Sequence, residues 1–329
     1  RRKKIDLKRC EGEEFAKKRL EGITAIKVPF GQIPSVNPRE AIPKLMNHFN
    51  ENLLGMKSIK EEIAMFLYSK MMGRVATNLA LVGSAGVGKT QICRLISQSI
   101  GIPFSQISLG QISRRDTLMG HDPTYLGARE GLVVKSLIDQ KTLGGIILWD
   151  ELDDSTEEIQ NTLLQITDPV QNKDFQDLFL PGLKIDLSNV INIFTMNTTR
   201  NLNLALKDRL SIIEVPEYTE IQQRNILEKK SIPKICKQFL MNLEHFDIPS
   251  IADFIMHRTE KSPGMRKLEA TTTDVFKRLD FATTFGSILD LSFEIKDHGN
   301  SLINSKHLER LFRGKSKINN NKNIYTMYT

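Results

Sequence analysis

Four short apolar runs mark the middle of the chain, at 79–82, 104–109, 146–149 and 190–196. Each is too short for a buried helix and is bounded by polar residues, glycine or proline, which predicts strands buried on both faces. A weaker fifth candidate lies at 211–215. Between the runs, the stretches 90–100, 132–141 and 155–167 read as helices. Strands alternating with helices predict a parallel sheet covered on both faces. Upstream, helical patterns cover 41–49 and 57–71, preceded by a segment, 28–43, whose four prolines and one glycine read as a linker. Beyond Pro216 the strand signals fade and amphipathic helices continue to about Arg313, as expected of a small helical domain. The last stretch is polar, with Asn319 to Asn321 and scattered lysines, and reads as loose. No internal repeat is visible.

Composition changes this picture little. With 329 residues, 40% hydrophobic and 26% charged, the chain is of ordinary globular make-up. No apolar run approaches the ~20 residues that span a bilayer, so no membrane partner is expected. Cys10, Cys93 and Cys236 are far apart and have no CxxC spacing, which speaks against a disulfide framework or a zinc site and for a reducing compartment, cytoplasm or organelle matrix. The net charge of +7 sits at the ends. Residues 1–27 hold ten Lys/Arg against five Asp/Glu, and residues 306–329 six against one, leaving a slightly acidic body. Such ends are either solvated arms or nonspecific contacts to DNA or another polyanion. The chain opens on Arg1, which reads as processed or partial, and the early acids Asp6, Glu11, Glu13 and Glu14 do not suit a transit peptide.

The chemistry concentrates in two places. Gly83-Ser84-Ala85-Gly86-Val87-Gly88-Lys89-Thr90 satisfies G-x-x-x-x-G-K-[ST], the Walker A pattern, between a predicted strand and a predicted helix. Glycines there let backbone N–H groups turn inward around phosphates, and the helix N-terminus adds a favourable dipole. Lys89 is expected to reach the β- and γ-phosphates of ATP, and Thr90 to ligate Mg²⁺. Ile146-Ile147-Leu148-Trp149-Asp150-Glu151 is the matching Walker B strand, with two carboxylates at its C-terminal end, where α/β sheets place ligands. Asp150 is expected in the Mg²⁺ shell and Glu151 as the group that polarises the attacking water. Trp149 reads as core filling.

These residues resemble the ATPase module of the Lon protease family, a branch of the AAA+ ATPases, from about Asn50 to Lys317. The most specific stretches are Gly120-His121-Asp122-Pro123-Thr124-Tyr125-Leu126-Gly127-Ala128, followed by Gly131, and Asp168-Pro169-Val170-Gln171-Asn172 with Phe175, Asp177 and Asp186-Leu187-Ser188. The resemblance implies a three-layer α/β AAA+ P-loop domain with a five-stranded parallel sheet, followed by a small helical lid. The expected domains are a basic arm, linker and helix at 1–49, the large ATPase domain at 50–216, the lid at 217–314 and a polar tail, or the start of a following domain, at 315–329. It further implies that Asn197 is the sensor positioning the attacking water, where the residues alone also allow a capping role. Arg209 matches the arginine finger that reaches a neighbour's nucleotide, which implies a ring, expected to be a hexamer of identical chains. Arg266 matches the lid arginine that touches the nucleotide of its own subunit. Tyr125 and Leu126 match the pore loop that grips extended polypeptide.

The sequence departs from the family around that loop. Asp122-Pro123 replaces a usual arginine pair, Arg129-Glu130 a usual Met-Pro, Leu132 a usual Arg, and Asp154 a common Lys. A Ser–Lys peptidase domain is not expected within these residues, so peptide cleavage is not expected of this chain alone. The leading expectation is Mg-dependent ATP hydrolysis that unfolds protein substrates and threads them through the ring. The alternatives are a nucleic-acid-remodelling ATPase of clamp-loader or initiator type, and a regulator that only binds ATP.

Overall fold

A computed structural model describes residues 12–74, 77–125, 127–285 and 302–312. Two compact units divide the chain, 1–217 and 218–329. In the first, helices α1 (Gly12–Lys27), α2 (Pro38–Asn52) and α3 (Lys57–Met71) precede β1 (Asn78–Val82). Then come α4 (Lys89–Ile100), β2 (Phe104–Ser108), α5 (Arg115–Met119), α6 (Leu132–Gln140) and β3 (Ile146–Asp150). The unit closes with α7 (Glu157–Thr167), β4 (Ile191–Met196), α8 (Leu204–Lys207) and β5 (Leu210–Glu214).

The strands form one parallel sheet in the order β2-β3-β4-β1-β5. Its three layers follow from the two-residue period of a strand. Ala80, Ile147, Trp149 and Phe194 point into one core with α5, α6 and α7. Their neighbours Leu79, Leu81, Ile146, Leu148 and Ile193 point into the other, with α2, α3 and α4. Both faces are therefore apolar at the three central strands β1, β3 and β4, which is why these read as buried runs and not as alternation. The five-stranded parallel sheet and its flanking helices match the expected fold class.

Two readings of the N-terminal region need correction. The linker assigned to 28–43 ends at Asn37, because α2 starts at Pro38. Proline suits a first helical turn, where its missing N–H costs nothing, and the Asn37 side chain accepts the Arg39 N–H at 3.1 Å as a cap. Only Pro43 sits deeper in the helix, and the burial of Ala41, Leu45 and Phe49 along one face holds α2 regardless. Residues 12–27, counted in the solvated arm, form α1, anchored near its end by Thr24 and Val28, both about 5% exposed. Residues 1–11 and 313–329, which carry most of the terminal basic charge, lie outside the described residues.

The second unit contains α9 (Glu220–Ile226), α10 (Ile232–Gln238), α11 (Ile248–Arg258), α12 (Arg266–Phe285) and α13 (Ser305–Leu311). A π-helical turn at Leu227–Ser231 joins α9 to α10, just before Pro233. A core of Leu227, Ile251, Ile255, Phe276 and Leu279 holds the helices together. A reciprocal cap between Thr219 and Gln222 starts α9.

Candidate active site

The segment from Gly83 to Thr90 leaves β1 and enters α4 at Lys89. Two glycines adopt left-handed backbone, Gly86 at φ 83° and Gly88 at φ 99°. Residues with a Cβ rarely hold that geometry. Gly83 is required for a different reason. A Cβ there would lie 2.3 Å from the Val215 carbonyl oxygen, because Gly83 N–H reaches back to Met196 O and Val215 N–H reaches Val82 O. Val87 is fully buried and nails the loop to the core beneath it. A cradle that side chains would fill, lined by backbone and opening a helix, suits the phosphates of a nucleotide.

Lys89 Nζ donates to the carbonyls of Gly83 and Ser84, and at 3.0 Å to Oδ1 of Asn197. The parallel pairing of β1 with β4 makes this meeting possible, since it sets Val82 beside Met196 and brings both strand ends to one edge. Ser84 Oγ donates to Glu217 at 2.6 Å.

Asp150 and Glu151 stand at the end of β3. Asp150 accepts from Gln106 Nε2 at 2.8 Å and from the Thr195 hydroxyl. Both partners come from the strands flanking β3, so the carboxylate is oriented from two sides. Glu151 sits in the left-handed region, φ 62°, which is strained for a residue with a side chain. Ser108 Oγ donates to its Oε2 at 2.7 Å. A glutamate held off ordinary backbone and aimed by a serine is a preorganised carboxylate, as proton abstraction from water requires. Thr90 and Asp150 are the side chains that would hold a magnesium ion, which would neutralise phosphate charge when bound.

The sequence reading missed Asp153. It is 6% exposed, and its Oδ2 accepts from the backbone N–H groups of Asn197 and Thr198 at 3.0 and 3.3 Å. This carboxylate fixes the turn that presents Asn197. Its signal in the sequence is only the acidic cluster Asp150 to Asp154, where a buried acid looks like a solvated one.

Arg209 and Tyr125 make their described contacts elsewhere in the first unit. Arg209 is bound within its own chain, donating to the Leu164 carbonyl and forming an ion pair with Asp168 at 3.0 Å. The Asp168 carboxyl is held below its usual range, first by the N–H groups of Gln171 and Val170 and then by the Arg209 charge. Tyr125 is 67% exposed on the loop between α5 and α6, and Leu126 lies outside the described residues. Arg266 is exposed at the first position of α12, in the second unit.

The tryptophan reading holds. Trp149 is fully buried, stacks on Phe194 with centroids 6.1 Å apart, and donates its Nε1–H to Asn192 at 2.9 Å. Among the described residues no helix is long and apolar enough to cross a membrane.

Comparison with known proteins points to one family. Residues 79–217 match the family model described as ATPase family associated with various cellular activities (AAA). Lon protease 1 of Myxococcus xanthus is 34% identical over 240 residues, covering 70% of this chain and 29% of that protein. The Lon protease of the Aster yellows witches'-broom phytoplasma is 33% identical over 262 residues, covering 77% and 32%. That of Clostridioides difficile is 30% identical over 246 residues, covering 72% and 31%. The chain spans about a third of the length of these curated relatives.

Proposed function

The chain is an AAA ATPase related to the Lon proteases, and on that premise we propose that it is the motor of a ring that unfolds and threads protein substrates. The observation that carries the proposal is the pairing of a glycine cradle and two oriented carboxylates, Asp150 and Glu151, with an exposed tyrosine on a separate glycine-flanked loop. The first supplies work and the second a place to apply it. In the hydrolytic reading Glu151 takes the proton of the attacking water that Asn197 positions, Lys89 holds the terminal phosphates, and Thr90 and Asp150 would hold magnesium. Arg209 would act on the nucleotide of an adjacent copy. Its bridge to Asp168 supports this, because a guanidinium steered by a fixed carboxylate is already oriented when a neighbour docks. Arg266 would report nucleotide from the second unit.

Tyr125 is suited to polypeptide because an aromatic ring presses on any backbone without reading its sequence.

Steady-state ATP turnover of the purified chain, alone, with casein and with duplex DNA, tests the reading, with Glu151→Gln as the inactive control. Stimulation by casein, lost in Glu151→Gln and in Tyr125→Ala, is the expected result. Stimulation by DNA and not by casein would replace it with nucleic-acid remodelling. Tyr125→Ala that responds to casein like the native chain would remove Tyr125 from the grip.

A further inference from the structure

We propose that Asp177 is the positioning residue of the Tyr125 loop, its carboxylate holding the Gly131 end while its neighbour Leu178 holds the α5 end, so that residues 120–131 stand on one rigid base. The proposal rests on the reading of Tyr125 as the gripping side chain. It adds a residue far along the chain that decides whether the grip transmits force.

The loop leaves α5 at Gly120 and enters α6 through Gly131. Asp177 is only 1% exposed and lies where these ends meet. Its Oδ2 accepts the Gly131 N–H at 2.8 Å, and its Oδ1 accepts the Phe179 N–H at 2.9 Å. Its neighbour Leu178 donates from its backbone to Met119 O at 2.7 Å, so the Asp177 segment is strapped to the end of α5 as well. A third link, His121 N–H to Arg129 O at 3.0 Å, closes the loop one step further out.

The approach is so close that only glycine is allowed at either end. A Cβ on Gly120 would lie 2.1 Å from Asp177 Oδ1, and Gly120 also holds φ 84°. A Cβ on Gly131 would lie 2.1 Å from Leu118 O and 2.5 Å from Gly120 N. Two glycines and a buried carboxylate thus form one interlocked knot. Beyond it the tip is open, with Tyr125 largely exposed and Gly127 meeting no atom within 4 Å of a would-be Cβ. A stiff base under a free tip is the form of a lever.

The choice of residue supports a positioning role over simple packing. Burying a carboxylate is costly, and burial is the main influence on this one, opposed by the Gly131 and Phe179 N–H groups and reinforced by the Glu130 charge. An apolar side chain would avoid that cost. Only a carboxylate in its ionised form, however, offers two acceptor oxygens and no donor, so that one oxygen takes the Gly131 N–H and the other the Phe179 N–H. Asparagine would turn an NH₂ group toward one of them.

Two variants of the full chain test this, Asp177→Asn and Gly120→Ala, the second driving a methyl into Asp177. Both should keep basal ATP turnover and the KM for ATP, because no residue of the nucleotide cradle contacts Asp177 among its described hydrogen bonds. Both should lose most of the casein stimulation. Amide hydrogen exchange across 120–131 should accelerate about tenfold or more, with 83–90 unchanged, as expected for a lost bond to a buried charge. Unaltered exchange across 120–131 in both variants overturns the proposal. Faster exchange with full casein stimulation overturns it too, since the knot would then be structural only. A native chain that does not respond to casein, or a Tyr125→Ala variant that responds normally, refutes the threading function instead, and the exchange data still decide whether Asp177 holds the loop.

Discussion

Raising the pH from about 5 to about 7 should weaken the first unit by about 2 kcal/mol through Asp177 alone. Burial pushes the Asp177 carboxyl up to about 7, the Gly131 and Phe179 N–H groups pulling it partly back and the Glu130 charge pushing it further up. In the unfolded chain the same group has a value of about 3.9. Between these values the folded protein holds a proton that the unfolded chain has released, so stability falls as pH rises. The contribution is fully present below about pH 4 and is lost as pH climbs through about 7. The full slope is about 1.4 kcal/mol per pH unit, and it flattens near 7, which leaves about 2 kcal/mol over the interval. Other groups titrate in the same range, so the quantity to measure is a difference. Asp177→Asn cannot titrate, and its stability relative to the native chain should rise by about 2 kcal/mol from about pH 5 to about pH 7. Urea unfolding followed by fluorescence of Trp149, the sole tryptophan and fully buried in the same unit, gives that difference directly. A difference that stays flat across the interval would refute the reasoning, because Asp177 would then ionise as it does in water.

Three further outcomes are expected. Trp149→Phe should cost about 2 kcal/mol, read by circular dichroism in urea, because it removes the hydrogen bond to buried Asn192 and leaves a partial cavity against Phe194; a loss below about 0.5 kcal/mol would show that bond to be inert. Gly83→Ala should abolish binding in a fluorescent-nucleotide titration while leaving the second unit folded, since its methyl would collide with the Val215 carbonyl and break the edge of the cradle; retained affinity would mean the strands part easily. Cys93 is fully buried, and that burial, with the Asp150 charge adding, pushes its thiol far above the usual range. Iodoacetamide should therefore modify Cys93 only in denaturant, as mapped by mass spectrometry, and rapid labelling of the native chain would contradict its burial.

The sheet and the cradle were legible because both are local. A strand buried on two faces writes itself as a run of apolar residues, and a phosphate loop writes itself as glycines at fixed offsets. What stayed hidden depends on partners far away in the chain. Nothing local separates Asp153, which holds the Asn197 turn, from Asp154, because burial is decided by where α7 and β4 come to rest. Asp177 belonged to a stretch noted for family likeness, yet its meeting with Gly120 and Gly131 exists only in three dimensions. The fifth strand was weak for a related reason. β5 is an edge strand, half-covered at Ser211 and Ile212 and exposed at Glu214, so its pattern is diluted. In the N-terminal region prolines misled, since Pro38 marks the beginning of a helix and not its exclusion.

The strand order carries a consequence for how the molecule comes into being. β1 is flanked by β4 on one side and β5 on the other, with Leu79 set against Ile193 and Ser211. Both neighbours are synthesised long after it. On the ribosome the strand that enters the cradle must therefore wait, apolar on both faces, unpaired at both edges until β4 emerges and at one edge until the chain has grown past Glu214. Contacts of such sequence separation make folding slow and leave a sticky intermediate. A chain halted between β1 and β4 would expose the strand that later leads into the cradle, and so would need a chaperone's shelter more than a chain halted anywhere after β5.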